Sequence, residues 1–553
     1  MRRKKISDGL TVQAISGTHV VFLAFDLPGT WTGKLMGFAI HRRDATEDEE
    51  YWLRSTKTFP GVPISINEDA SSHEHPFQAF QWADYTAKPD HEYEYRVVAL
   101  SGEPGHLKDG PEVTVKIPTE PADPSGSVRH GVYFNRGAIS SQAYVKRFGL
   151  KHPDDVGPSA LDWLARDLLR GMTDFIGQAS QGDSLHCALY EINFPPVLDA
   201  LAAAKKRKAT VKVLYGATPG SSTTDSNEKA LAAIGSPSYF SPRTNAKIAH
   251  NKFMVLSRDG KPAQVWTGST NLSQNAFYGQ LNVGHALRNA AAARTYRAYW
   301  DALAADPVRE DTRAEVVRIA PLDDASTEQV QVIFSPYEDL SVYRYYQALA
   351  ASARQALFMT YPFGMSREFR KVYDYDDGVL RYALLDKYVN GGNADSRKAA
   401  IEDTIRIRKF PNVGMALGER VYSGDVDGWR KERSPIGVNV NWVHTKFMVI
   451  DPLSDAPTVV SGSANWSEPS TNENDENMLV IRGDQRVGDI FFTEFMRVFA
   501  HHRFREALAR HLEEHGNVDD WKPGDLKTKP SEWVPKHYEA GGEYDIRRRY
   551  FVS

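Results

Sequence analysis

One stretch of this 553-residue chain is written twice. Aligning His250 with His444 and reading forward without gaps sets HNKFMVL against HTKFMVI. Eighteen residues after each histidine, GSTNLS faces GSANWS, and ten of the 24 positions from 250 to 273 are identical. A repeat held in one register means two copies of one folding unit, which constrains the architecture more than any local propensity does. The flanking sequence says what the unit is. SLHCALYEI, PPVLDALAAAKKRKA and TVKVLYG read as strand, helix and strand; QVQVIFSP, LSVYRYYQALAASARQ and ALFMTYPF bring the alternation back. The expectation is an α/β protein with two pseudo-symmetric α-β-α halves, residues 128–325 and 326–513, each around a largely parallel sheet with right-handed crossovers. Residues 487–511 have the spacing of an amphipathic helix.

Strand parity predicts the chemistry at the repeat. Phe-Met-Val after each lysine is apolar on both faces, as in a strand buried on both sides. Side chains alternate, so His250 points with Lys252, and His444 with Lys446. The Gly-Ser-x-Asn that follows brings Ser269 and Asn271 in the first copy, Ser463 and Asn465 in the second. Two copies facing each other make one pocket of two His, two Lys, two Asn and two Ser. Such a pocket suits a phosphate: lysine and amide donors hold its oxygens while the imidazoles attack and protonate.

His-x-Lys-(x)4-Asp followed by Gly-Ser-x-Asn resembles the phospholipase D superfamily, over roughly residues 128–512. The second copy matches in full with His444, Lys446, Asp451, Gly462, Ser463 and Asn465, and has Asn474 and Glu476 downstream. In the first, Ser257 replaces the Asp, and Gln280 and Asn282 replace Asn474 and Glu476. The resemblance implies a phosphodiesterase with His250 as nucleophile forming a phosphohistidine and His444 as general acid, then base. Lys252, Lys446, Asn271 and Asn465 would hold the equatorial oxygens, and Asp451 would be a structural support. It also implies a downstream group orienting each imidazole: Glu476 for His444, keeping it cationic, and Gln280 or Asn282 for His250, leaving it neutral. The tyrosyl-DNA phosphodiesterase branch shows a similar amide-and-Glu asymmetry. No cofactor and no metal are expected, since the sequence has neither a His-Glu-x-x-His nor a cysteine cluster.

Residues 1–120 read as short strands separated by turns, a β-sandwich. AKPDHEYEYRVVAL, with Pro89 and Tyr93, resembles the late strand of fibronectin type III domains, and Trp82 sits where those domains keep a core aromatic. Residues 121–127 read as a linker, within the Pro-rich Thr119–Ser127, and 514–553 as an irregular strap over the core. Lys+Arg number 67 against 71 Asp+Glu, so bulk charge does not point to a polyanion partner. The one cysteine, Cys187, permits no intrachain disulfide. MRRKKISDGL lacks an apolar segment after its basic residues, and no run of 18 apolar residues occurs; the expected location is cytoplasmic.

Other conspicuous features have plain readings. YDYDDG (Tyr373–Gly378) and TNENDEN read as solvated loops apart from Glu476, because they lack the ligand spacing of a calcium loop. Lys205–Lys208 complements a helix dipole. His186 and Cys187 are core residues, VYRYYQALA is a packed helix face, and Tyr337–Leu340 is placed to border the pocket. The leading substrate is a phospholipid or related diester, with lipid degradation as the role. The alternatives are a nuclease or DNA-adduct phosphodiesterase acting on nucleic acid, and a non-catalytic phosphate-binding protein whose sandwich docks to a protein or surface partner.

Overall fold

The computed structural model describes residues 1–55, 57–62, 70–121, 128–137, 144, 147–149, 151, 153–388, 392–418, 443–515 and 525–553. The linker expected over 121–127 thus falls largely outside the described residues, and residues 419–442, before the second motif, fall wholly outside them.

The N-terminal part is a sandwich of two four-stranded sheets. Arg2–Ser7 (β1), Leu10–Ser16 (β2), Val21–Asp26 (β3) and Gln81–Asp84 (β8) form one. Gly37–Asp44 (β4), Glu49–Trp52 (β5), Glu92–Glu103 (β9) and His106–Pro118 (β10) form the other, in the order β10-β9-β4-β5. A short pair, Arg54–Ser55 (β6) and Ala70–Ser71 (β7), stands beside them. Alternation drives the packing: Tyr93, Tyr95 and Val97 of β9 and Val21, Leu23 and Phe25 of β3 all enter one core. The Tyr93 hydroxyl accepts a hydrogen bond from the Lys88 amide at 2.8 Å, tying the corner around Pro89, and Trp82 stacks on Phe77 at the margin of that core.

The two α/β halves repeat one topology. The first contains His130–Phe134 (β11), Ser184–Leu189 (β12), Thr210–Gly216 (β13), Phe240–Arg243 (β14), Lys252–Arg258 (β15), Lys261–Gly268 (β16) and Val283–Leu287 (β17), ordered β11-β17-β16-β15-β12-β13-β14. The second contains Val330–Ser335 (β18), Ala356–Tyr361 (β19), Leu380–Leu385 (β20), Val413–Leu417 (β21), Phe447–Ile450 (β22), Thr458–Gly462 (β23) and Glu476–Arg482 (β24), ordered β18-β24-β23-β22-β19-β20-β21. The sheets are mixed rather than largely parallel. Only β12-β13-β14 and β19-β20-β21 run parallel; the other neighbours are antiparallel. The reason is local: β15 and β16 are joined by Asp259-Gly260 alone, and so short a turn permits only a hairpin, whereas parallel neighbours need a long crossover.

Parity along β15 splits its side chains between two cores. Met254 and Leu256 join the helices Asp167–Gly177 and Pro195–Lys206 on one face. Phe253 and Val255 join the helix Ala290–Leu303 and the second half on the other. His186 and Cys187 are buried on β12, and the helix carrying Tyr343, Tyr345 and Tyr346 packs in the core. Lys205 and Lys206 occupy the last turn of their helix, where they offset its negative end.

The C-terminal strap is more regular than expected. It contains the helix Glu543–Phe551, and it follows a long helix, Gln485–His515. Trp533 and Val534 enter the sandwich core, while Phe551 packs on Phe22 of the sandwich and Phe492 of the long helix. At Gly17 a Cβ would lie 2.2 Å from Thr493 Oγ1, so the sandwich and the long helix meet there without room for a side chain. No helix among the described residues is long and apolar enough to cross a membrane.

Candidate active site

The site forms where the two sheets meet. Lys252 opens β15, Lys446 immediately precedes β22, and each histidine lies two residues earlier. Asn271 and Asn465 follow the ends of β16 and β23 by three residues. The chain is stitched across the halves here: the His444 amide donates to Leu281 O at 3.2 Å, and the Asp475 amide to Ile248 O at 3.0 Å. His250, His444, Asn271 and Asn465 thereby line one cavity of about 540 Å³.

The partners of the imidazoles are crossed between halves. His250 Nδ1 lies 2.8 and 2.9 Å from the Glu476 carboxylate oxygens, and His444 Nδ1 lies 2.9 Å from Asn282 Oδ1. This overturns the expected pairing of Glu476 with His444 and of Gln280 or Asn282 with His250. The sheet order explains it. β24 is separated from β22 by β23, which puts Glu476 about 10 Å sideways from its own half's histidine strand at the usual strand spacing. Across the junction β15 and β24 are neighbours. Gln280 lines the cavity, but its hydrogen bonds are backbone ones, to Asn275 and Asn135.

Ser269 and Ser463 are fully buried and serve these partners instead of facing the cavity. Ser463 Oγ donates to Glu476 at 2.6 Å and Ser269 Oγ to Asn282 Oδ1 at 2.8 Å. The lysines also sit beneath the cavity, 2% and 0% exposed. Lys252 Nζ donates to His250 O at 2.7 Å, and Lys446 Nζ to His444 Nε2 at 2.9 Å. Asp451 accepts from the amides of Arg354, Gln355 and Ala356, fixing the turn into β19. In the first half, Ser257 is buried with its hydroxyl unpartnered, and Asp183 in the turn before β12 takes over, accepting from Ser180 and Arg258.

Burial dominates the electrostatics. It pulls His250 well below the usual histidine range, helped by Lys252 and Lys446, and pulls His444 down in the same way. The Glu476 carboxyl is pushed up to about 7 by burial against the opposing pull of Lys252. Lys252 is brought down to about 8 by burial, and Lys446 falls well below its ordinary value. A neutral His250 donating Nδ1–H to Glu476 leaves its Nε2 lone pair free, which is the form a nucleophile needs.

Three features were not read from the sequence. Tyr190, just past β12, sets its ring 5.1 Å from the His250 ring and 5.3 Å from Lys252 Nζ. Glu191 and Phe363, at the ends of β12 and β19, line the cavity. The signal available was that segments following parallel strands border a site at that sheet edge. The third is the burial of TNENDEN, Thr471–Asn477, expected as a solvated loop: Asp475 pairs with Arg243 at 2.9 Å, and Asn477 donates to Asn251 at 2.9 Å. Inter-half contact desolvates Asp475, Glu476 and Asn477, which meet Arg243, His250 and Asn251 of the other half. In YDYDDG, Tyr373 is buried in the core, while Asp374–Gly378 is surface chain whose Asp374 and Asp377 pair with Arg406 and Arg381. Tyr337 does not border the cavity; its hydroxyl donates to Ala320 O, away from the site. Among the described residues no group of three or more His, Cys, Asp or Glu is placed to hold a metal ion.

The family described as cardiolipin synthase, PLD-like domain, matches residues 172–304 and 415–502, taking in both motifs. The chain belongs to the phospholipase D superfamily. No curated protein matches it. The solved structures it resembles include the phosphatidylserine synthase of Haemophilus influenzae, at 13% identity over 64% of this chain and 92% of that one, TM-score 0.42. Nuc of Salmonella typhimurium, a phospholipase D family member, is 20% identical over 32% and 95%, TM-score 0.23. The yeast tyrosyl-DNA phosphodiesterase is 11% identical over 57% and 88%, TM-score 0.32. Within the superfamily this chain carries both motifs itself.

Proposed function

We propose that the protein is a phosphodiesterase working through a phosphohistidine, with a phospholipid or related amphiphilic diester as substrate. One observation carries the reading: the two imidazoles open on a single cavity with different partners behind them, a carboxylate for His250 and an amide for His444. The His250 Nε2 lone pair attacks phosphorus as the bond to the leaving oxygen breaks, and the imidazole becomes cationic. Glu476 compensates that charge, so the carboxylate belongs on the nucleophile. The substrate's anionic phosphate, drawn toward Lys252 and Lys446, raises the proton affinity of His444, which takes up a proton at Nε2 from solvent as the diester binds and delivers it to the leaving alkoxide. His444 then takes a proton from water, the new oxygen bonds phosphorus, and the P–N bond breaks to restore His250. An acceptor alcohol in place of water would give transfer by the same steps. Asn271 and Asn465 complete the set around the phosphate.

The amphiphilic substrate is supported by the walls. Beyond Phe363 the cavity continues into a second one of about 420 Å³ bordered by Pro362, Met365, Trp466 and Pro469, and no Lys or Arg lines either among the described residues. A nucleic-acid path would normally be lined with such cations. The corner at Tyr93 supports a fibronectin type III-like reading of the sandwich. The test is incubation in EDTA with phosphatidylcholine vesicles, bis(4-nitrophenyl) phosphate, and single- and double-stranded DNA. Head-group release is expected. DNA cleavage alone would move the protein to the nucleases, and silence throughout would make it a binding protein. Radiolabelled phosphate should stay on His444→Ala and be absent from His250→Ala; the reverse would exchange the two roles.

A further inference from the structure

The pseudo-twofold that relates the halves makes their differences informative. Leu185 faces Leu256 in one sheet and Leu357 faces Ile450 in the other. Glu191, six residues past Leu185, therefore corresponds to Phe363, six past Leu357, and both line the catalytic cavity. Where one half offers a carboxylate, the other offers an aromatic ring.

The surroundings extend the contrast. Glu191 is held by its backbone, whose carbonyl accepts from the Leu272 amide, and its carboxylate has no hydrogen bond or ion pair among the described residues. Its neighbours along the wall are uncharged donors and acceptors: Asn193, Thr223 and Ser226, with the Tyr190 hydroxyl accepting from Thr223 at 3.0 Å. It lies close enough to the buried lysines to favour their charged forms. Phe363 instead opens on the apolar cavity, with Lys387 Nζ 5.5 Å from its ring centroid, a charge that would repel a cation there.

We infer that Glu191 and Phe363 fix the direction in which an unsymmetrical diester binds: the ester arm bearing an ammonium group lies on the Glu191 side, and the uncharged arm lies against Phe363. The inference rests on the phosphodiesterase reading for its substrate and adds a specificity-determining residue to it. A half-buried carboxylate facing a substrate cation selects by charge, while an aromatic wall selects apolar bulk.

The experiment compares two chromogenic esters of nearly one shape, 4-nitrophenyl phosphocholine and 4-nitrophenyl 3,3-dimethylbutyl phosphate, which differ by one quaternary nitrogen replaced with carbon. The native enzyme should favour the cationic ester in kcat/KM roughly fivefold, a modest value for a partly exposed charge pair. Glu191→Gln should bring the ratio near one, and Glu191→Asp should keep part of it. A ratio unchanged by Glu191→Gln, or abolished instead by Phe363→Leu, would overturn the assignment. Calorimetric titration of both esters into His250→Ala protein reads the same preference without turnover. Tighter binding of the cationic ester that needs Glu191 would stand even if the native enzyme hydrolysed neither, in which case the phosphodiesterase reading alone fails. Equal binding with and without Glu191 would remove the subsite.

Discussion

At the residue scale, the carboxylate behind His250 sets the pH response. Glu476 gives up its charge as pH falls through about 7, and His250 then loses its anionic partner. Lys252 gives up its charge as pH rises through about 8, weakening the hold on phosphate. Since kcat/KM reports the free enzyme, its pH profile should be a narrow bell with limbs near those two values. Glu476→Gln keeps an acceptor for Nδ1–H but carries no charge to compensate the phosphohistidine. It should flatten the acid limb and lower kcat/KM by roughly 10²-fold or more. Stopped-flow or steady-state profiles from pH 5 to 10 check this; an acid limb that survives in Glu476→Gln would assign it to another group.

The elements show what was legible in the sequence. The repeat announced the two sheets and the residues at their junction because a strand's period of two carries side-chain direction with it. It could not announce which half each supporting residue serves. Offset aligns Glu476 with Asn282, but only the order β22-β23-β24 moves the one away from its own histidine and toward the other. The TNENDEN segment fails for a similar reason: charge density reads as exposure unless the matching groups, here Arg243 and Asn251 from the other half, are known. Arg243 is the test at this scale. Its guanidinium bonds Asp475, Asp306 and Thr312 while 2% exposed. Removing one partner of a buried pair strands the other, so Arg243→Ala should cost about 3–5 kcal/mol in urea unfolding. Adding Asp475→Asn should restore part of that; a loss below about 1 kcal/mol would mean the junction is wetter than its burial implies.

At the scale of the whole molecule, the sandwich is fused to the catalytic part rather than hung from it. Ile15, Val20, Phe22 and Ala24 share a core with the second half, so that face of the sheet is occupied within the chain and is not available to an outside partner. The strap closes the arrangement from the other side: Tyr538 donates to Leu27 O at 2.8 Å, Arg548 pairs with Asp26, and Trp533 fills the sandwich core. Trp533→Ala should lower stability by about 3–5 kcal/mol, as truncation of a large buried aromatic does. Near-ultraviolet and far-ultraviolet signals should still fall together in one transition; separate transitions would show that the sandwich unfolds by itself.

The crossed partners behind the imidazoles also bear on ancestry. Each copy of the repeat supports the other's histidine, so neither can change alone: exchanging carboxylate and amide in one copy alters the surroundings of its sibling's imidazole. Division of labour between the two histidines was thus written in the opposite copy from the one that expresses it, and a descendant that shed either copy would have kept a histidine and lost what made it useful.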